Sequence, residues 1–185
     1  MGITLIYGAS GSFNLATISV YATGQNPDIT FYIGIILVLV ALLFKVSAVP
    51  FHFWAPDVYE GSPMLITALM ATLGKVASFA AFYKLFAVCF VDAGSHFKLV
   101  IAIVVALTIL VGNLSAIRQD SFKRMLAFSG VTNAGFMLFA ILLPKENGGS
   151  ALFFYAVAYA LSSIAAFAIA IAVSKFSGSE KFDAF

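Results

Sequence analysis

The chain has 185 residues, of which 62% are hydrophobic and only 10% are charged, whereas a soluble domain carries roughly 25% charged residues. This composition excludes an ordinary soluble fold. The net charge of +2 is too small for a protein that binds nucleic acid by neutralising many phosphates. The lone cysteine, Cys89, can form neither an internal disulfide nor a cysteine metal cluster. The chain is therefore expected to be an integral membrane protein.

Five apolar runs are long enough to cross a bilayer, which requires about 20 residues in a helix. The first nine residues are also apolar, but they stop short of a spanning length and resemble the end of a longer helix. Ser12 is predicted to cap a short helix that runs to Tyr21. We predict an all-α, polytopic transmembrane helix bundle with about five full spans plus a truncated helix at its N-terminus. The five runs cover residues 31–49, 64–90, 98–117, 125–143 and 150–174.

The basic residues of the connecting segments predict the orientation of the chain. Cytoplasmic loops of membrane proteins are enriched in Lys and Arg. The connections 50–63 and 118–124 and the C-terminal tail share one side, which is predicted to be cytoplasmic. That side carries Arg118, Lys123, Arg124, Lys175 and Lys181, against Lys98 and Lys145 on the other.

Small and polar residues inside the runs indicate helix contacts. The last run has a small residue at every fourth position, a spacing that lets membrane helices approach closely. Hydroxyl and amide groups recur in the second, third and fourth runs, where they could either join helices or anchor internal water. The small residues are Ala158, Ser162, Ala166, Ala170 and Ser174, and the polar residues are Thr67, Thr72, Ser78, Asn113, Ser115, Ser129, Thr132 and Asn133.

Lys75 is the first candidate for chemistry. It is the twelfth residue of the run that begins at Met64, or about 17 Å along a helix, which places it near the middle of the membrane. A lysine in hydrocarbon costs ~2.5 to 3.5 kcal/mol on insertion scales and is usually functional. The alternative is a static internal pair with a carboxylate. Lys84 lies near the end of the same run, where its side chain can reach the interface.

Lys45 and Pro50 form the second candidate. Proline removes a backbone donor and clashes with the preceding turn, so Pro50 is predicted to break the helix beside Lys45. Such discontinuous helices hold ion sites in transporters, which makes Lys45 a candidate proton or ion site. An ordinary kink near the interface, with Lys45 extended towards water, is the alternative.

His52 lies in the polar segment that follows the break. Its usual pKa near 6.5 suits a proton relay, although an interfacial, hydrogen-bonded histidine is equally consistent with the sequence. Asp57 and Glu60 fall where the chain returns to water and are interpreted as helix-end groups. No P-loop, dinucleotide fingerprint or nucleophile triad is present, so we predict no bound cofactor and no metal site in this chain.

Three segments of the sequence carry a resemblance to a known family. They are FKVSAVPFHFWAPDVYEGSP, LGKVAS and GNLSAIRQDSFKRMLAFSGVTNAGFML. Together they resemble the subunit N family of bacterial NADH:quinone oxidoreductase, respiratory complex I, whose mitochondrial counterpart is chain 2. The wider family is antiporter-like and includes cation/proton antiporter subunits and the membrane arms of related hydrogenases.

The resemblance implies a larger, fourteen-helix subunit that moves protons along a buried hydrophilic axis. Residues 1–185 would form a single membrane domain that corresponds to the sixth to eleventh helices of that subunit. The family's lysines on the broken seventh helix and on the eighth helix match Lys45 and Lys75. The family's fifth-helix glutamate and its charged twelfth-helix residue have no counterpart in these residues, so this piece is not expected to pump protons alone.

The predicted function is that of a non-redox, proton-translocating subunit of NADH:quinone oxidoreductase. NADH and quinone would be used by other subunits, and the partners would be neighbouring antiporter-like membrane subunits and the lipid bilayer. The location would be the bacterial inner membrane, or the mitochondrial inner membrane for an organellar protein. The alternatives are a subunit of a cation/proton antiporter or membrane-bound hydrogenase complex, and a purely structural membrane module.

Overall fold

The structure is a computed structural model that describes residues 1–24, 27–90 and 97–177. Eight helices occur in these ranges, and short connections join them. The first four are α1 (Gly2–Ser10), α2 (Leu15–Ala22), α3 (Ile29–Lys45) and α4 (Trp54–Gly61). The last four are α5 (Met64–Cys89), α6 (Lys98–Ile117), α7 (Phe122–Leu142) and α8 (Lys145–Ser177).

The predicted helical membrane bundle is confirmed. In the described ranges, α5, α6, α7 and α8 are each long and apolar enough to span a membrane, and α1 with α2 adds a fifth span if this pair, bent by 72°, is counted as one. The first predicted run behaves differently, because α3 has 17 residues and ends at Lys45 instead of continuing to residue 49. Four of the five predicted runs are therefore candidate spans, whereas the run 31–49 forms a shorter apolar helix.

Helix α5 is continuous but not uniform. Two π-helical turns, Met70–Gly74 and Lys84–Cys89, flank the α-helical stretch Lys75–Tyr83. A π turn uses i→i+5 hydrogen bonds, is rare, and often occurs at functional sites. The first of these turns places Lys75 directly at its end.

Two glycines allow α6 and α7 to pack very closely. A Cβ atom on Gly112 would lie 2.5 Å from Oγ1 of Thr132, and one on Gly135 would lie 2.6 Å from Cγ1 of Ile109. Contacts this short leave no room for a side chain. The α6–α7 pair is therefore closely packed, and α4, α5 and α8 contact α7.

Four helices meet at one small buried cluster. It combines Ala55 and Tyr59 of α4, Ala71 of α5, Ala127 of α7 and Phe167 of α8. This cluster lies next to the first π turn, because Ala71 belongs to both. The C-terminal half of α8 and the helix α4 thus pack against the part of α5 that lies next to Lys75.

The connections 50–63 and 118–124 lie on the same side of the bundle, as the alternation of spans predicts. Arg124 forms ion pairs with Asp57 and Glu60, both at 2.8 Å, and Nζ of Lys123 donates a hydrogen bond to the backbone carbonyl of Ser62. Lys181, which was also assigned to this side, lies outside the described residues.

Two local predictions need correction. Asn14, not Ser12, caps α2, because its side chain accepts a hydrogen bond from the backbone amide of Ala16 at 2.9 Å. In α8, Ala158 and Ser162 of the predicted small-residue seam are exposed, whereas Ala166 and Ser174 are half-buried and Ala170 is buried, so the seam packs only in the C-terminal half of the helix. The buried residues of this helix are Leu152, Ala156, Tyr159, Phe167 and Ala170.

Candidate functional site

Lys75 lies inside the bundle. The residue is only 2% exposed, and its Nζ donates a hydrogen bond to the backbone carbonyl of Gly130 on α7, at 2.5 Å. In the described part of the chain, no carboxylate lies within ion-pair distance of this ammonium group, so the predicted alternative of a static internal pair has no partner there. Among the described residues, the carbonyl dipole of Gly130 is the hydrogen-bond partner of this buried amino group.

The absence of a side chain at Gly130 makes this contact possible. A Cβ atom at this position would lie 2.9 Å from Nζ of Lys75 and 3.3 Å from the hydroxyl of Tyr159. Tyr159 is itself buried, and its hydroxyl donates a hydrogen bond to the carbonyl of Ala71 at 2.9 Å. Glycine therefore opens a small polar niche between α5, α7 and α8.

Most other polar side chains within the spans form hydrogen bonds with the backbone of their own helix. Their side chains donate to a carbonyl four residues earlier, which is a common arrangement for hydroxyl residues in helices. These bonds occupy the donors without joining separate helices. The pairs are Thr72 with Ala68, Ser78 with Gly74, Asn113 with Ile109, Thr132 with Phe128 and Asn133 with Ser129.

The helix break begins at Ser47, before Pro50 is reached. Ser47 has a φ of 62°, and its backbone amide bonds to the carbonyl of Phe44, while the amide of Ala48 bonds to the carbonyl of Leu43. This pattern is the Schellman motif, in which a left-handed residue ends a helix. Glycine usually occupies that position, which explains why the sequence pointed to Pro50 instead. Pro50 lies three residues further on, within the connection.

Side chains from other parts of the fold satisfy the backbone groups freed by the break. The amide of Val49 donates to Oγ1 of Thr108 at 3.0 Å, and the indole of Trp54 donates to the carbonyl of Phe44 at 2.9 Å. Thr108 is fully buried on α6. The break is thus held against the closely packed α6–α7 pair, which satisfies irregular backbone inside a membrane protein.

Lys45 and His52 occupy opposite environments on the two sides of this break. Lys45 is exposed at the end of α3, whereas His52 is buried, with its ring against Phe53 and Phe128. Burial lowers the pKa of His52, and the backbone of Pro50 acts in the opposite direction. The structure does not bring Lys45 into contact with Lys75.

Sequence reasoning did not find the ionic cluster that connects α4 to α7. Arg124 binds Asp57 and Glu60 and also donates from Nε to Oε1 of Gln119 at 3.1 Å. Its partners are 64 and 67 residues away in the chain, so no local pattern predicts the contact. Because Gly130 lies on the same helix, α7 connects the segment after the break to the site that holds Lys75.

These features define a polytopic membrane protein with a buried lysine that has no described counter-charge, close to a discontinuous helix. The family comparison agrees with that class. A model of the family described as "NADH:quinone oxidoreductase/Mrp antiporter, TM" matches residues 1–184, and the chain belongs to that family.

The relatives are subunits of membrane complexes. The chain is 46% identical over 184 residues to NADH-quinone oxidoreductase subunit N of Flavobacterium psychrophilum, a match that covers 100% of this chain and 40% of that protein. The chain thus spans less than half the length of this relative.

Solved structures agree. A chain of the archaeal membrane-bound sulfane sulfur reductase superimposes with a TM-score of 0.90 at 28% identity, covering 100% of this chain and 38% of that chain. A chain of respiratory complex I from Thermus thermophilus superimposes with a TM-score of 0.72 at 38% identity, and the match covers 90% of this chain and 35% of that chain.

The Thr108 contact predicts a stability effect. Thr108→Val keeps the shape but removes the hydroxyl, which leaves the buried amide of Val49 without its partner, at a cost of about 1–3 kcal/mol. The thermal unfolding midpoint of the detergent-solubilised protein should fall by several degrees. Thr17→Val on α2, where the threonine is exposed, is the matched control and should leave the midpoint unchanged. Equal midpoints for the two variants would show that the contact does not hold the break.

Proposed function

We propose that this chain is part of a proton-translocating membrane subunit of NADH:quinone oxidoreductase, and that Lys75 is its central proton-carrying group. The single observation that carries the proposal is the burial of the Lys75 ammonium group against a backbone carbonyl. An ionisable side chain inside a membrane helix bundle is costly to bury and commonly marks a path for ions or protons. The identity to subunit N relatives supplies the class of complex.

In this proposal the chain corresponds to the sixth to eleventh helices of an antiporter-like subunit in the bacterial inner membrane. Oxidation of NADH and reduction of quinone take place in other subunits, and neighbouring antiporter-like subunits are the partners. This chain's own residues hold and transfer protons. Lys75 binds a proton at Nζ, keeps it away from bulk water, and passes it on when its hydrogen bond to Gly130 is exchanged.

Lys45 and His52 are the proposed partners of Lys75 in that path. Lys45 is exposed at a discontinuous helix, where a mobile lysine can exchange protons with water or with another part of the protein. His52 lies seven residues further along the chain with a lowered pKa, which favours the neutral imidazole that can accept a proton. Neither residue touches Lys75, so transfer between them requires intervening water or side-chain movement.

The test of Lys75 uses the full-length subunit in the assembled complex. Lys75→Ala should lower the rate of NADH-driven proton pumping into inverted membrane vesicles by about tenfold or more, which is typical of losing a proton-transfer group. Lys84→Ala is the matched control, because Lys84 is an exposed lysine on the same helix. Undiminished pumping in the Lys75 variant, with normal assembly, would contradict the proposal and would support a purely structural module.

A charge-preserving substitution separates the two roles that Lys45 could have. Arginine keeps the positive charge but does not release its proton in proteins. If Lys45 carries protons, both Lys45→Ala and Lys45→Arg lower the pumping rate, and His52→Asn lowers it to a smaller extent. If Lys45→Arg pumps like the unmodified complex, Lys45 supplies charge alone and its role as a proton carrier is wrong.

A further inference from the structure

The π turn before Lys75 determines which way that lysine points. Reversion of Met70–Gly74 to α-helical hydrogen bonding would change the register of α5 by one residue and rotate its two halves relative to each other by ~100°. The second half is fixed in the core by Phe79 and Phe82, which are both fully buried. The hydrogen-bonding pattern of the π turn therefore sets the direction in which Lys75 leaves the helix.

One side chain from outside α5 binds this turn. The hydroxyl of Tyr159 on α8 donates to the carbonyl of Ala71, which lies within the turn. The same hydroxyl lies only 3.3 Å from the position that a Cβ on Gly130 would occupy. Tyr159 is thus in contact both with the irregular turn and with the surface that receives the Lys75 ammonium group.

We propose that Tyr159 is a positioning residue for Lys75, and that its hydroxyl stabilises the π turn in the register that directs Lys75 to the carbonyl of Gly130. This inference rests on the proposed function, because it assigns Tyr159 a role in the same proton path. Tyr159 acts through Lys75 and does not itself carry the proton. Without the hydroxyl, the carbonyl of Ala71 loses this hydrogen bond from α8, and the contact that holds the π turn in its register is weakened.

The chain offers a closely matched control on the same helix. Tyr155 lies one turn earlier on α8, and its hydroxyl donates to Oδ1 of Asn133 at 2.8 Å. Tyr155→Phe and Tyr159→Phe remove the same atom and break the same kind of hydrogen bond. Only the second of these bonds reaches α5.

The experiment measures proton pumping per assembled complex with the full-length subunit. Tyr159→Phe should lower pumping about threefold or more, which is the scale expected when a buried acceptor loses its donor, while Tyr155→Phe should pump normally. In a Lys75→Ala background, Tyr159→Phe should cause no further loss, because two residues that act as one unit are not additive.

The outcomes test the positioning role of Tyr159 and the proposed function of Lys75 separately. Normal pumping in Tyr159→Phe, or a further loss in the Lys75→Ala background, would overturn the positioning role. Failure of Tyr159→Phe to assemble would also overturn it, because it would assign the hydroxyl to folding instead. Normal pumping in Lys75→Ala alone would defeat the proposed function, whereas impaired Lys75→Ala with normal Tyr159→Phe would defeat only this inference.

Discussion

The buried ammonium group of Lys75 imposes a constraint that the surrounding helices satisfy together. Such a group is expensive to remove from water and needs hydrogen-bond acceptors in place of solvent. Gly130 supplies a carbonyl acceptor, because its lack of a side chain lets Nζ approach the backbone of α7. The π turn ahead of Lys75, the close α6–α7 contact and the placement of α8 all bear on whether that hydrogen bond forms.

Two contacts in the first half of α7 link the segment after the helix break to the Lys75 site. Near its N-terminus, Arg124 is bonded to Asp57 and Glu60 of α4, and six residues later Gly130 receives Lys75. Helix α7 therefore contacts both the segment after the helix break and the Lys75 side chain. The ion pairs are partly exposed, and such pairs contribute at most about 1 kcal/mol each.

The sequence was sufficient for the features that depend on local composition. Apolar runs of the right length predicted α5 to α8 within a few residues, because hydrocarbon tolerates few other patterns. Lys75 stood out because hydrocarbon normally excludes lysine. The end of α3 at Lys45 was misplaced, since the left-handed Ser47 that terminates the helix leaves no signal in the sequence comparable with that of proline.

Contacts between distant residues were beyond sequence reasoning. Gly130 and Tyr159 meet the Lys75 region across 55 and 88 residues of chain, and neither residue type is unusual in a membrane helix. The π turns could not be predicted either, because their amino-acid composition does not differ from that of the α-helix around them. Both kinds of feature depend on how whole helices pack, which a single sequence does not specify residue by residue.

The most direct measurement of the central claim is proton pumping by the complex that carries Gly130→Ala. The added methyl group would meet the far end of the Lys75 side chain, which can move aside, so the complex should assemble while the ammonium group loses the Gly130 carbonyl. The account predicts a clear fall in protons pumped per NADH oxidised, although every lysine is still present. Unchanged pumping in the assembled variant would contradict the claim that the Lys75–Gly130 contact is part of the proton path.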